Sequence, residues 1–279
     1  FFMGIGFVRP HTPLNAPDKY FNMFPIETLQ LPKWIEDDIN DTYYLENFGD
    51  KLKGSKYYKT ILASFSGDRE MALKNFLQAY LACVAFVDEQ IGKVVKAIEN
   101  SQYSDNTVII FTSDHGWQMG EKNYLFKNSP WEESARIPLI FKLPNQEEGS
   151  EVDQPVSLID IFPTLIDLCN LKGNYRKNVN GGDIGGFSLK PLLYDNGKWQ
   201  GPDGALTLVG NNGHSKSENE QTYSYRTRQF RLIRYGNGKI ELYDHYKDPH
   251  EWQNIANDKK NKKLIQQLNN EMDNILINR

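Results

Sequence analysis

The sequence predicts an α/β protein with a mainly parallel central sheet, joined to a small C-terminal α+β unit. Three patterns carry that expectation. A long helix-period stretch runs from Asp68 to about Asn100, two continuous apolar runs at 108–111 and 137–141 follow it, and strict alternation sets in beyond residue 200. Continuous β-branched runs fit strands covered on both faces, as parallel sheets are, whereas alternation fits an antiparallel sheet with two different faces.

The chain opens on Phe1, Phe2, Met3, Gly4, Ile5, Gly6, Phe7 and Val8, which reads as a buried strand. In Arg9-Pro10-His11-Thr12-Pro13 two prolines force an ordered non-helical loop and hold His11 on a stiff turn. Residues 14–66 are rich in aromatics and proline without sustained period, so they read as a long irregular excursion. Phe76, Tyr80, Val84, Val87, Ile91, Val94 and Ile98 then recur at three and four residues and mark one amphipathic helix. After Ser104-Asp105-Asn106 comes the strand Val108–Phe111, and Ile137–Phe141 repeats its pattern. Ser157–Leu171 reads as a helix that tolerates Pro163 near its first turn, and Gly181-Gly182 and Gly185-Gly186 mark a loop.

Tyr223/Tyr225, Phe230/Leu232 and Ile240/Leu242 alternate, with Gly236-Asn237-Gly238 between the last two runs, which predicts a hairpin-containing antiparallel sheet. Leu264, Leu268, Met272 and Ile275 share one face of a terminal helix, and the lysines at 259, 260, 262 and 263 form its solvated entry. The boundary falls near residue 200, giving units 1–200 and 201–279.

Composition narrows the function. Among 279 residues, 32 basic and 36 acidic side chains leave a formal net charge of −4, so there is no general pull toward nucleic acid or an anionic membrane, and an anionic substrate must be attracted locally. No stretch approaches 18 consecutive apolar residues, so no membrane-spanning helix is expected. Cys83 and Cys169 lie in apolar segments and read as buried thiols; two cysteines make neither a disulfide framework nor a four-cysteine zinc site.

The strongest local signal is Thr112-Ser113-Asp114-His115-Gly116, placed directly after a strand, where α/β sheets face ligands. Asp114 offers a hard oxygen and His115 an imidazole, a pair able to hold a divalent metal, while Gly116 allows a sharp turn. A bare Asp-His-Gly also fits a strand-terminal turn with a hydrogen-bonding histidine. Lys122 and Lys127 follow, and with His11 they suggest a crevice for an oxyanion beside a metal.

Residues 1–13, the block NTVIIFTSDHGWQMGE at 106–121 and the block ESARIPLI at 133–140 resemble type I sulfatases of the alkaline-phosphatase-like superfamily, most closely the iduronate-2-sulfatase-like branch. The segments 160–165 and 242–256 are similar to that family as well. The resemblance implies part of an alkaline-phosphatase-like sandwich. It matches Asp114 and His115 to a pair of Ca2+ ligands, with another divalent metal possible. His11 corresponds to the histidine near the leaving-group oxygen and Lys127 to the lysine that holds the sulfate, making both catalytic and substrate-binding.

It further implies hydrolysis of a sulfate ester, on a sulfated uronic acid of a glycosaminoglycan or another sulfated glycan, in a periplasmic, secreted or lysosomal setting. The family nucleophile is a formylglycine made from a Cys/Ser-x-Pro-x-Arg motif. Cys83 is followed by Ala85 and Val87, Cys169 by Leu171 and Gly173, and no serine begins the pattern. The formylglycine and the first metal-binding aspartate pair are therefore expected upstream of Phe1, in an N-terminal segment of the same enzyme. Other readings are phosphatase, phosphodiesterase or phosphonate hydrolase chemistry in the same crevice, or a non-catalytic module that binds sulfated glycan.

Overall fold

A computed structural model describes residues 1–49, 52–173, 175, 184–194, 198–210 and 220–277. The helices of the first half are α1 (Asp18–Phe21), α2 (Tyr44–Phe48), α3 (Lys53–Ser64) and α4 (Arg69–Glu99). The helical period expected from Asp68 is realised in α4. Its N-cap is Asp68, whose carboxylate accepts the Met71 N–H at 2.9 Å, one of the donors a helix start leaves without an internal partner. Ala72, Leu73, Ala82 and Cys83 are buried along it, and the other cysteine, Cys169, is exposed at the end of its helix rather than buried as expected. Helix α3 lies inside the segment read as irregular. Tyr58, Ile61 and Leu62 pack at helical spacing against Leu73 and Leu125, a period too short to stand out among the surrounding aromatics.

Strand β1 (Ile109–Thr112) is followed by β2 (Gln118–Met119), β3 (Leu125–Phe126), the short helix α5 (Glu132–Ala135) and β4 (Leu139–Lys142). Both apolar runs form strands, but they pair with each other in antiparallel register, Ile110 opposite Phe141 and Thr112 opposite Leu139. β2 and β3 also pair antiparallel. Among the described residues there is no parallel pair, which corrects the expected parallel central sheet: a continuous apolar run records burial, not the direction of its neighbour. Nor is the pair covered on both faces, since Phe111 is 38% and Ile140 56% exposed. Residues 1–8 depart further from expectation. They join no ladder among the described residues and are exposed, Phe2 to 85%, because a strand is defined by a partner that its own sequence does not supply.

Beyond β4 come α6 (Ile161–Leu168), entered through a 3-10 turn at Leu158–Asp160, and α7 (Lys190–Leu193). The helix expected over Ser157–Leu171 is thus present, with Ser157 and Asp160 forming a reciprocal capping box. Gly185-Gly186 lie in a loop, while Gly181-Gly182 fall outside the described residues.

The C-terminal unit is an antiparallel sheet in the order β5 (Gly204–Val209), β6 (Thr222–Thr227), β7 (Phe230–Arg234), β8 (Ile240–Asp244), followed by α8 (Lys262–Ile277). Three of its strands and the β7–β8 hairpin match the alternation, and Gly238 takes the left-handed backbone the turn requires (φ 82°). Alternation also sorts the sheet into two faces. Tyr223, Tyr225, Leu232 and Leu242 pack on Leu268 and Met272 of α8. Ile233 and Tyr243 point the other way and bury against Tyr44, Tyr124 and Trp131 from the first half of the chain. The sheet therefore forms the floor under the segment that joins β3 to α5.

Candidate functional site

β1 ends at Thr112 and delivers the Ser113-Asp114-His115-Gly116 turn. Ser113 Oγ donates to the His115 carbonyl (3.0 Å), and the Gly116 N–H donates to Ser134 O (2.9 Å), so the turn is bound to α5. Only glycine fits there, because a Cβ on residue 116 would lie 2.1 Å from the Glu133 carbonyl oxygen. His115 Nδ1 lies 2.8 Å from Gly116 O and donates its proton there, which leaves the Nε2 lone pair free to accept. Lys127 Nζ donates to that Nε2 at 2.7 Å. The Asp114 carboxylate is 84% exposed, with Oδ1 3.6 Å from the same nitrogen. Asp114, His115 and Lys127 are thus brought together, one cation facing two electron-pair donors.

Lys127 sits between two non-glycine residues with left-handed backbones, Phe126 (φ 75°) and Asn128 (φ 70°), which persist only where surroundings over-determine them. Those surroundings are identifiable. Asn128 O accepts from the Tyr44 hydroxyl (2.7 Å). The hydroxyls of Ser129 and Ser134, 2.7 Å apart, converge on Gln118 Oε1, and all three residues are buried. Trp131 Nε1 donates to Glu241 Oε2 (3.0 Å), a buried carboxylate that also accepts from the Tyr235 and Tyr243 hydroxyls and the Tyr43 N–H. Burial pushes the Glu241 carboxyl up, against these four hydrogen bonds.

Below the loop lies a buried charge network that sequence reading missed. Arg231, 1% exposed, pairs with Glu251 Oε1 (2.5 Å) and with Glu132 Oε2, and donates to Ser224 Oγ at 2.7 Å. Arg226 reaches Glu132 at 3.2 Å, and His245 Nε2 reaches Glu251 Oε1 at 2.9 Å. Burial alone would raise Glu251, but Arg231 and then His245 outweigh it and hold its carboxyl at about 2. Glu132, His245 and Glu251 bring ligand atoms within 4.8 Å of one another and form the one such acid-histidine group among the described residues. The Arg231 guanidinium already occupies both carboxylates, so a divalent ion would meet a fixed positive charge, and this group reads as an ion-pair network. The sequence signal is faint: with Phe230 and Leu232 on the α8 face, alternation puts Arg231 on the opposite face, which alternation alone leaves to solvent.

Lys122 requires a correction. It is not a crevice lysine; its Nζ is buried, 2.8 Å from Asp38 Oδ1 and 2.6 Å from Glu251 O, near the rings of Trp131 and Tyr243. Nothing in the neighbouring sequence marks it as an interior residue. What fixes Lys122 inward is its left-handed backbone (φ 51°) and the Asp38 carboxylate, 84 residues earlier. His11 is exposed on its proline-flanked turn, with Nδ1 2.6 Å from Thr12 O and its backbone N–H bonded to Val8 O (2.9 Å). Among the described residues no hydrogen bond or ion pair joins His11 to Asp114, His115 or Lys127. A cleft of about 1620 Å³ opens over the site and is lined by Asp114, His115, Lys127, Arg136, Arg226 and Arg228 among others.

Comparison with known proteins adds the following. The family described as "Sulfatase" matches residues 1–171, and that described as "N-sulphoglucosamine sulphohydrolase, C-terminal" matches 120–278. A sulfatase of Formosa agariphila is 36% identical over 269 residues, covering 96% of this chain and 48% of its own length. The chain spans about half the length of the curated relatives it matches. A structure solved in complex with D-glucosamine-2-N,6-O-disulfate superposes with a TM-score of 0.69 at 23% identity, covering 95% of this chain and 63% of that one. The phosphonate monoester hydrolase of Agrobacterium radiobacter superposes with a TM-score of 0.74 at 23% identity, covering 98% and 56%. These two likenesses speak to the fold.

Proposed function

The chain belongs to the sulfatase family, and on that premise we propose that it forms the C-terminal portion of a sulfuric ester hydrolase of the iduronate-2-sulfatase-like branch, acting on a sulfated uronic acid or another sulfated glycan in a periplasmic, secreted or lysosomal setting. The observation that carries this reading is the 2.7 Å contact between Lys127 and His115 beside the exposed Asp114. It gathers an ammonium, an imidazole and an open carboxylate at one strand end, the set of groups that a sulfate bound beside a metal would draw on.

Asp114 offers an open carboxylate to a divalent metal such as Ca2+, whereas His115 could join it only with Lys127 Nζ moved off Nε2; the two residues supply a minority of the roughly six to eight ligands Ca2+ takes, and we assign the others to an upstream segment. Such a metal supplies Lewis-acid stabilisation of negative charge on the sulfate. The formylglycine nucleophile is likewise assigned upstream, since no Cys/Ser-x-Pro-x-Arg occurs in the chain.

The roles we propose for this chain's own residues are those the family resemblance suggests. Lys127 Nζ holds a sulfate oxygen and offsets the charge that builds as the ester bond lengthens. His11, whose Nδ1 lies 2.6 Å from Thr12 O on an exposed turn outside the cleft lining, is proposed to give a proton from Nε2 to the leaving alkoxide. Gln118, Ser129 and Ser134 hold the Lys127 turn in place. Phosphorus chemistry is the second reading, because the charge that suits a sulfate suits a phosphonate or phosphate equally.

The test is to assay the polypeptide with its upstream segment on an aryl sulfate, an aryl phosphonate and a sulfated disaccharide. Sulfate release that falls by about a hundredfold or more in Lys127→Ala is expected, as for loss of one donor to a developing oxyanion. Equal activity of the variant, or turnover confined to phosphorus esters, overturns the sulfatase reading, and saccharide binding without turnover identifies a binding module.

A further inference from the structure

Five basic side chains line the cleft near α5 and the β6–β7 turn, and three of them are already engaged: Lys127 on His115, Arg226 on Glu132, and Arg231 on Glu132 and Glu251. The remaining two, Arg136 and Arg228, are exposed and make no ion pair among the described residues, although the charge of Arg136 is felt by Glu133 on α5. We propose that Arg136 and Arg228 form a second anion subsite, which takes a carboxylate or a further sulfate of the saccharide whose scissile sulfate is held at Lys127. This inference rests on the sulfate-ester reading of the Lys127 site.

Both guanidiniums stand on anchored backbone. The Arg136 N–H closes α5 by donating to Glu132 O (2.7 Å), and its carbonyl oxygen would meet a Cβ on Gly116 at 2.6 Å, so its main chain lies against the Asp114-His115-Gly116 turn. Arg228 is at the tip of the β6–β7 turn. There the Phe230 N–H donates to Thr227 Oγ1 (2.9 Å), and Gln229, the residue after Arg228, donates to Asp244 Oδ1 at the end of β8 (3.1 Å) and accepts from the N–H of His245 just past it (2.7 Å). Fixing the main chain while leaving the guanidinium outside any close ion pair is what a recognition arginine needs, since little backbone ordering remains to be done on binding. The planar fork of a guanidinium matches two oxygens of a carboxylate or sulfate. Of the acids nearby, Glu132 is held by Arg226 and Arg231, Glu133 on α5 acts on Arg136 and is what a bound anion must displace, and Glu147, Glu148, Glu151 and Asp153 come from the segment after β4.

The test is a binding titration of the polypeptide with its upstream segment against three disaccharides: one with a single sulfate and no carboxylate, one with two sulfates, and one with a sulfate and a uronate carboxylate. The wild type is expected to prefer a doubly charged ligand, and the Arg136→Ala/Arg228→Ala variant to lose that preference by about tenfold, with partial recovery in the double lysine variant and attenuation by salt. Loss confined to the disulfate assigns the subsite to sulfate, and loss confined to the uronate assigns it to carboxylate. A wild-type ratio retained in the double alanine variant, with its thermal midpoint also retained, overturns the subsite. Lys127→Ala separates this from the underlying reading: undiminished affinity of that variant for all three ligands refutes the sulfate site itself.

Discussion

Replacing Arg231 by methionine removes the guanidinium that joins Glu132 to Glu251 while roughly keeping the volume of the side chain. In the wild type the group contacts both carboxylates, Ser224 Oγ at 2.7 Å and Pro130 O at 3.3 Å. Removing one member of a buried pair strands the other in low dielectric, at a cost of about 3–5 kcal/mol. The pH dependence gives an independent measure. Glu251 is held at about 2 against an ordinary 4.5, so its ionisation stabilises the folded state by roughly 3 kcal/mol. Because the folded value is depressed, that contribution is complete above the unfolded value and is lost as pH falls from about 4.5 toward 2.

In Arg231→Met, burial of Glu251 is opposed only by His245 and the Glu132 N–H, its carboxyl moves up, and protonation relieves the stranded charge. The deficit relative to wild type is therefore expected to shrink between pH 7 and pH 5. Urea unfolding followed by tryptophan fluorescence at both pH values measures this. A deficit under about 1 kcal/mol at pH 7, or one that does not change with pH, refutes the buried-network account.

Two further outcomes are expected. Gly116→Ala places a Cβ against the Glu133 carbonyl and must push the Asp114–His115 turn away from α5, so stability falls by about 1–3 kcal/mol and affinity for a sulfated saccharide falls with it; unchanged affinity in titration removes the turn from the site. Met272→Ala, at a fully buried position on α8, lowers unfolding free energy by about 2–5 kcal/mol in chemical denaturation, and a loss below about 1 kcal/mol contradicts the packing of α8 on the sheet.

The parts of the fold legible in sequence are those whose period is set locally. Helix α4, the β7–β8 hairpin and α8 each repeat one residue class at one spacing for long enough to be read. Strand direction is not legible, because Val108–Phe111 would look the same beside a parallel neighbour or an antiparallel β4. Strand β5 does not stand out, since Leu206 and Leu208 lie among glycine and proline. At the site, Asp114, His115 and Lys127 are readable as chemistry at a strand end. The groups that fix them are not: Gln118, Ser129 and Ser134 are ordinary polar residues until the fold stacks them, and Arg231 meets Glu132 across 99 positions of chain. Lys122 escapes a local reading for the same reason, its partner Asp38 lying 84 residues away.

The inner face of the C-terminal sheet, where Ile233 and Tyr243 meet Tyr44 and Trp131, bears on what a domain boundary means in this chain. Residue 200 divides two styles of sequence, yet the turn that presents Lys127 rests on strands from beyond it. A chain cut at residue 200 would lose the carboxylates and the hydroxyl that hold Trp131, Pro130 and α5, leaving the left-handed neighbours of Lys127 to Tyr44, Gln118, Ser129 and Ser134 alone. Anion binding and the folding of β7 and β8 should then vanish in a single cooperative step, and proteolysis between the two units would be read out as loss of chemistry before any loss of helix.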